Sequence, residues 1–112
     1  WHQEVTLRVE DQHHSATRHL GSSLRLYDEI YQIRNWSRKD VNVLLSLETD
    51  SVDMNADGIN RMDGDFAVAW TREHGAGRVF YTALGHEPDV WRDIRFRKHL
   101  VGGIRWAAGV ED

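Results

Sequence analysis

The stretch GRVFYTALGHEPDVWRD, residues 77–93, places a histidine between a strand pattern and a helix start. Residues 77–84 are rich in β-branched, aromatic and other apolar side chains and predict a strand. The only proline of the chain, Pro88, follows just before an apolar run with helical spacing. His86 therefore lies after a predicted strand and before a predicted helix. In α/β proteins this position commonly presents reactive groups to solvent, which makes His86 the first candidate site residue.

Other segments complete a pattern of five strands, mostly antiparallel because their links are short, and one substantial helix. Residues 66–73 are joined to residues 77–84 by HGAG, a link with two glycines that is typical of a β-hairpin. Residues 89–109 carry apolar side chains near helical spacing, and Asp89 or Asp93 can cap the start of that helix. The remaining predicted strands are residues 4–10, 23–33 and 41–48.

The composition indicates one soluble globular domain over residues 1–112. The chain is 40% hydrophobic and 29% charged, and its length lies within the usual domain range of ~50 to 250 residues. A net charge of −4 with scattered basic residues argues against nucleic acid as a partner. No run approaches the ~20 apolar residues of a membrane span. The absence of cysteine excludes disulfides, thiolate zinc sites and a cysteine nucleophile.

The beginning of the chain raises a question about its extent. The first residue is Trp1 rather than Met, which predicts a processed chain or one cut from something longer. The first residues also lack the basic and then apolar layout of a signal peptide. The compartment therefore stays open between cytoplasmic and secreted.

Several separated segments carry a resemblance to a known family. The strand at residues 1–11 and the turn at residues 15–20 fit that family's preceding strand and its His-Pro-x-Thr turn, although Ser15 stands where the proline would be. Together with three further segments, they closely resemble the C-terminal half of the ThuA-like, or trehalose-utilisation, family. Those segments are YDEIYQIR at 27–34, AVAWTREHGAGRVFYTALGH at 67–86 and LVGGIRWAAG at 100–109.

The resemblance implies an α/β fold and a place within it. ThuA-like proteins are similar in fold to class I glutamine amidotransferases, with a flavodoxin-like, doubly wound sheet in a domain about twice as long as this chain. Residues 1–112 would then form the C-terminal half of a single ThuA-like domain that is incomplete at the N-terminus. The implied partners are a small-molecule sugar and, for packing, the missing N-terminal half or a second copy of the chain.

His86 acquires a possible role from the same resemblance. The amidotransferase fold keeps a catalytic histidine in a His-Pro-Glu motif at a comparable strand end, whereas the order here is His86-Glu87-Pro88. An imidazole with an unperturbed pKa of ~6.5 can act as a general base or as a metal ligand. The alternative is that Gly85 and His86 only form the turn into the helix, with the imidazole bonded to the backbone.

Two adjacent carboxylates, Asp28 and Glu29, point to opposite faces of a predicted strand. A buried carboxylate is costly unless it is paired, so the inward one is expected to bind a cation, a metal or a substrate hydroxyl. The alternative is an arginine partner. We favour Glu29 as a catalytic residue that assists or orients His86, and Asp28 as a substrate-binding candidate.

Aromatic side chains with a polar group can stack on sugar rings, although most are core residues. Trp91, just after His86, and Tyr31 are candidate substrate-binding residues. Trp70 and Trp106 are better interpreted as packing residues.

The cofactor is left unknown, and a divalent metal is possible. His86 could bind an ion together with residues of the missing half, and His2 stays open because its neighbours are unseen. Residues 53–65 resemble an EF-hand loop but have Gly64 where the bidentate glutamate belongs, so a polar loop with Asx turns is the better interpretation.

Two functions of different class remain after these considerations. The resemblance implies carbohydrate metabolism, with acid/base chemistry on keto-disaccharides or glycosides by a sugar-processing hydrolase, lyase or isomerase. Proton transfer beside a keto group suits a histidine and a carboxylate without a nucleophile. The alternative is a non-catalytic carbohydrate-binding or scaffolding module.

Overall fold

The computed structural model describes residues 2–110, so Trp1 and its bearing on the chain's extent lie outside the described residues. Five strands and two α-helices follow one another along the chain. They are β1 (His2–Val9), β2 (Ser23–Glu29), β3 (Asn42–Leu47), β4 (Ala67–His74), β5 (Gly77–Thr82), α1 (Pro88–Arg92) and α2 (Ile94–Ala107). Two short 3-10 helices, Arg38–Asp40 and Thr49–Ser51, flank β3.

The five strands form one sheet in the order β2-β1-β3-β4-β5, and every neighbouring pair is antiparallel. The prediction of five mostly antiparallel strands and a C-terminal helix is therefore confirmed. The hairpin between β4 and β5 is tighter than its sequence indicated, because His74 and Gly77 pair with each other and leave two residues in the turn. Gly75 has a φ of 58° there, at a position where two-residue hairpin turns require a positive φ.

The second predicted strand is shorter in the structure, ending at Glu29 rather than Ile33. Glu29 pairs with His2, so the chain beyond it runs past the described part of β1. Gln32 instead binds the polar loop at residues 53–65, where its side-chain oxygen accepts hydrogen bonds from the backbone N–H groups of Asn60 and Arg61. The extended segment after β2 is therefore held by side-chain bonds rather than by a ladder.

The predicted C-terminal helix is divided into α1 and α2 by Asp93. Its backbone is extended, with φ −77° and ψ 121°, and its carboxylate accepts a hydrogen bond from the backbone N–H of Arg95. Asp93 is thus the cap of the long helix, and Asp89 lies inside α1. A short polar side chain can satisfy an N-terminal backbone donor better outside the helix than within it, which explains the break.

Helix α2 packs on the face of β5 and against the turn that follows β1. A Cβ atom at Gly102 would collide with the backbone of Ser15, and one at Gly103 would collide with the ring of Phe80. The two glycines therefore allow α2 to approach the turn and the sheet closely. The described residues contain no helix long and apolar enough to cross a lipid bilayer.

A buried histidine, His99, joins α2 to the sheet. Its Nδ1 lies 3.0 Å from the carbonyl oxygen of Ala16, which can only accept, so Nδ1 carries the proton and Nε2 accepts from the hydroxyl of Thr82 at 3.0 Å. Burial lowers the pKa of His99 to about 4, and the nearby His19 and His14 act in the same direction. His99 is therefore neutral in the folded protein at neutral pH.

Candidate functional site

The loop that carries His86 is fixed by the buried carboxylate of Asp28. Asp28 Oδ2 accepts a hydrogen bond from the backbone N–H of Gly85 at 2.7 Å, and Oδ1 accepts one from Glu87 at 3.0 Å. Oδ1 also accepts from the backbone N–H of Glu29 at 2.9 Å. These bonds flank His86 on both sides, so they determine where its imidazole lies.

Of the two adjacent carboxylates, Asp28 is the buried one. Asp28 has no exposed surface, and backbone N–H groups satisfy both of its oxygens. Such donors stabilise a buried carboxylate without any counter-ion. Among the described residues, the partners of Asp28 are therefore backbone N–H groups and not an arginine. Its observed contacts are those of a positioning residue, and direct binding of substrate stays a prediction.

Glu29 and two histidines form a cluster at one end of the β1–β2 ribbon. His2 lies directly opposite Glu29 in the strand register, with its Nε2 3.1 Å from Glu29 Oε2. His86 approaches the other carboxylate oxygen, with Nδ1 3.4 Å from Oε1. The two imidazole rings meet edge to face at a centroid distance of 4.8 Å. The structure thus brings the two predicted catalytic residues, His86 and Glu29, together.

A second glutamate, Glu87, holds the outer nitrogen of His2. Its Oε1 lies 2.9 Å from His2 Nδ1. Since a carboxylate only accepts, a protonated Nδ1 donates to Glu87 and a protonated Nε2 donates to Glu29. His2 is therefore oriented by two carboxylates, one on each ring nitrogen.

Tyr31 also belongs to this cluster. The hydrogen bond from its hydroxyl to Glu29 lowers the pKa of that carboxyl below its usual value; burial opposes this, while the charges of His86 and His2 add to it. The same hydrogen bond raises the pKa of the Tyr31 hydroxyl. Tyr31 is 42% exposed, so the ring remains available at the surface beside the carboxylate. Its predicted contact with a sugar stays a prediction.

Trp91 lies behind the loop and stabilises it. Its Nε1 donates a hydrogen bond to the carbonyl of Gly85 at 2.7 Å, and its ring meets Phe96 edge to face at 5.0 Å. Gly85 has a φ of 111°, and a Cβ there would crowd the Trp91 indole. Half of the Trp91 side chain remains exposed, and its predicted role in sugar binding stays a prediction.

Comparison with known proteins identifies the family. Residues 1–107 match the family model of ThuA, described as trehalose utilisation. The chain belongs to the ThuA family. The resemblance inferred from sequence is thereby confirmed, and the family places the chain in carbohydrate metabolism at that general level. No curated protein matches the chain.

Two solved structures are similar to this ThuA family chain. A ThuA-like protein from Bacteroides uniformis has 26% identity and a TM-score of 0.77, over 100% of this chain and 46% of that one. A ThuA-like protein from Parabacteroides merdae has 24% identity and a TM-score of 0.66, over 98% of this chain and 40% of that one. Because its identity is only 24%, the second structure supports a similarity of fold and nothing more. This chain spans less than half the length of either protein.

Two residues of the cluster, His2 and Glu87, could not be recognised clearly from the sequence. His2 joins the site only because β1 pairs with β2 in the register that sets it opposite Glu29. Glu87 joins because Asp28 fixes the loop that carries it. Both positions depend on pairings between distant parts of the chain, which periodicity does not reveal.

The cluster is also where this ThuA chain could hold a metal ion. His2, Glu29 and His86 are the one set of three or more potential ligand side chains that residues 2–110 bring together. In the EF-hand-like stretch, carboxylates bond to the backbone instead: Asp53 accepts from the N–H of Asn55 and Asp63 from that of Asp65. The interpretation of that stretch as a polar loop with Asx turns is confirmed.

Proposed function

We propose that this chain carries reactive residues of a domain that acts on keto-disaccharides or glycosides. The observation that carries the proposal is the approach of His86 to Glu29, with Nδ1 3.4 Å from Oε1 at an accessible end of the sheet. Membership of the trehalose-utilisation family supports a sugar as the substrate class. Together they favour an enzyme over a purely structural module.

In the proposed reaction His86 is the acid/base group or a ligand, and Glu29 assists and orients it. A carbonyl group in a sugar ring acidifies the adjacent C–H bond, so a base and a proton donor are sufficient for isomerisation or elimination. No cysteine is available as a nucleophile anywhere in the chain. Proton transfer therefore fits the side chains that are present better than covalent catalysis does.

The surroundings of the cluster support a role in binding sugar. Tyr31 and Trp91 are 42% and 50% exposed, and each combines an aromatic face with a polar group already engaged near the cluster. Aromatic faces of this kind commonly line small-molecule sites. We propose that Tyr31 and Trp91 shape the sugar site while Asp28 holds the His86 loop in place.

We further propose that the chain is the C-terminal half of a doubly wound domain of the class I glutamine amidotransferase type. The lengths of the two similar structures support this, because the chain covers 46% and 40% of them. Apolar side chains exposed along α2 offer a packing surface for the other half or for a second copy: Ile94, Val101 and Ile104, each more than half exposed.

The experiment compares turnover of a 3-keto-disaccharide, such as oxidised trehalose, by the full-length wild-type domain and by two variants of it. We expect His86→Ala and Glu29→Gln each to lower kcat by ~10²- to 10⁴-fold, the usual contribution of acid/base groups. His13→Ala, at an exposed histidine outside the cluster, is the matched control and should keep full activity. Circular dichroism confirms that each variant is folded.

Full activity in a folded His86→Ala variant would contradict the proposal. Saturable sugar binding without turnover in the wild type would instead support the non-catalytic carbohydrate-binding module.

A further inference from the structure

We propose that His2, Glu29 and His86 bind one divalent transition-metal ion of the kind represented by Zn²⁺, Mn²⁺ and Co²⁺. This inference concerns the site of the proposed function and decides between the two roles left open for His86. The ion needs no sugar in order to bind. Its binding can therefore be tested separately from the reaction.

The chemistry of the three side chains favours this class of ion. Two imidazole nitrogens and one carboxylate form the ligand set that zinc enzymes and non-haem iron enzymes use when a position is left open for substrate or water. Mg²⁺ and Ca²⁺ prefer sites made of oxygen atoms, so both should bind more weakly here.

The distances between the ligand atoms are close to those of a coordination sphere. His2 Nε2 and Glu29 Oε2 are 3.1 Å apart, and His86 Nδ1 and Glu29 Oε1 are 3.4 Å apart. Ligands at ~2.0 to 2.2 Å from a tetrahedral ion lie ~3.3 to 3.6 Å from one another. One ligand atom from each residue lies within 4.8 Å of the others. Displacements of the ligand atoms by about 1 Å therefore suffice to bring all three to coordination distance of one ion.

The orientation of His2 is the feature that points most directly to a cation. Nδ1 lies 2.9 Å from Glu87 Oε1 and Nε2 lies 3.1 Å from Glu29 Oε2, so each ring nitrogen of His2 faces a carboxylate oxygen. A neutral histidine carries a proton on one nitrogen only, so its other nitrogen and the carboxylate oxygen that it faces are both acceptors and repel each other. A positive charge between them, either a metal ion or a second proton on His2, removes the repulsion.

The contact with Glu87 also matches the environment of a metal ligand. Metal-bound histidines usually donate their other ring N–H to a carboxylate or carbonyl, which fixes the tautomer and raises the basicity of the ligating nitrogen. Among residues 2–110, the ion-pair partners of Glu29 and Glu87 are histidines rather than lysine or arginine. Each of these two carboxylates thus faces imidazole nitrogens, which can also bind a metal ion.

Access and rigidity complete the argument. The side chains of His2 and His86 are 38% and 47% exposed, so an ion can enter and retain an open position. Asp28 holds the backbone on both sides of His86, and β1–β2 pairing holds His2 opposite Glu29. The ligands are therefore carried by fixed elements and do not require a loop to close.

The test is calorimetric titration of the chelator-treated protein with Zn²⁺, and with Mg²⁺ as the comparison ion, in the absence of sugar. The wild type should bind one equivalent of Zn²⁺ much more tightly than Mg²⁺. Glu87→Gln should weaken Zn²⁺ binding by ~10- to 100-fold, and His2→Ala and His86→Ala should weaken it more. His13→Ala removes an exposed histidine outside the cluster and should leave affinity unchanged.

A spectroscopic readout separates this site from adventitious binding. Co²⁺ bound to the wild type should give visible absorption bands that disappear in His2→Ala and in His86→Ala, while circular dichroism shows both variants folded. Equal Zn²⁺ affinity in the wild type and the two histidine variants would overturn the inference. Failure of the chelator-treated wild type to bind Zn²⁺, with turnover of a keto-sugar retained, would overturn the inference and leave the proposed function standing. Tight Zn²⁺ binding without any sugar binding would support the inference and count against the proposed function.

Discussion

Asp28 Oδ2 accepts a hydrogen bond from the backbone N–H of Gly85 at 2.7 Å, and this contact joins the edge strand of the sheet to the loop that carries His86. Oδ1 of the same side chain binds the N–H of Glu87 on the far side of the histidine. A side chain with no exposed surface thereby sets the geometry of a solvent-accessible site. The position of His86 depends on it as much as on the strand that precedes it.

Replacing Asp28 by Asn should destabilise the protein and disturb the cluster. The amide keeps one acceptor oxygen and turns an NH₂ group toward one of the backbone N–H groups, so a buried donor loses its partner. We expect a loss of about 1 to 3 kcal/mol in the free energy of unfolding, measured by urea denaturation. Ser51→Ala, which removes a part-buried side chain bonded to the backbone of β1, is a control for stability alone. Unchanged stability in Asp28→Asn would contradict the role given to this carboxylate.

His99 should make stability depend on pH. Its pKa is about 4 in the folded protein, against an ordinary value of 6.5, because it is buried. Between these values the unfolded chain binds a proton that the folded protein does not, so stability falls as pH decreases from 6.5 to about 4. The full change should be about 3 kcal/mol. Urea denaturation across this range measures it, and His99→Gln should flatten the profile whereas His13→Ala should not.

Gly102 tests whether close packing outweighs helix propensity. Alanine in place of a helical glycine is normally stabilising by about 1 kcal/mol. At Gly102 the added methyl group would collide with the backbone of Ser15, which cannot move like a flexible side chain. We therefore expect Gly102→Ala to lower the Tm, with a cost of about 1 to 3 kcal/mol from overpacking. Val101→Ala, at the neighbouring and largely exposed position, is the matched control. A higher Tm for Gly102→Ala would show that the two segments are not packed as described.

Sequence periodicity was sufficient for the elements of this fold. Runs of apolar and β-branched residues between turn residues predicted the five strands, and the near-helical apolar spacing of residues 89–109 predicted the helical end. The break at Asp93 was missed because a capping residue and an interior polar residue look alike in sequence. The early end of β2 at Glu29 was missed because the bonds from Gln32 to Asn60 and Arg61 join parts of the chain that are far apart in sequence.

The candidate site was only partly predictable, for a related reason. Strand geometry predicts that Asp28 and Glu29 lie on opposite faces. The position of His86 after a predicted strand makes it a candidate site residue. His2 lies in the cluster because of the register between β1 and β2. Glu87 lies there because its backbone N–H binds Asp28, which is far away in the sequence. These are long-range contacts that no local pattern encodes.

The central claim is that His86 and Glu29 act as one reactive unit on a keto-sugar. A double-mutant cycle on kcat/KM with oxidised trehalose tests it most directly, using His86→Ala, Glu29→Gln and the double variant. Residues that act together are strongly non-additive, so the account predicts that the double variant is about as slow as the slower single variant. Additive losses, or near-wild-type kcat/KM in either single variant, would contradict it.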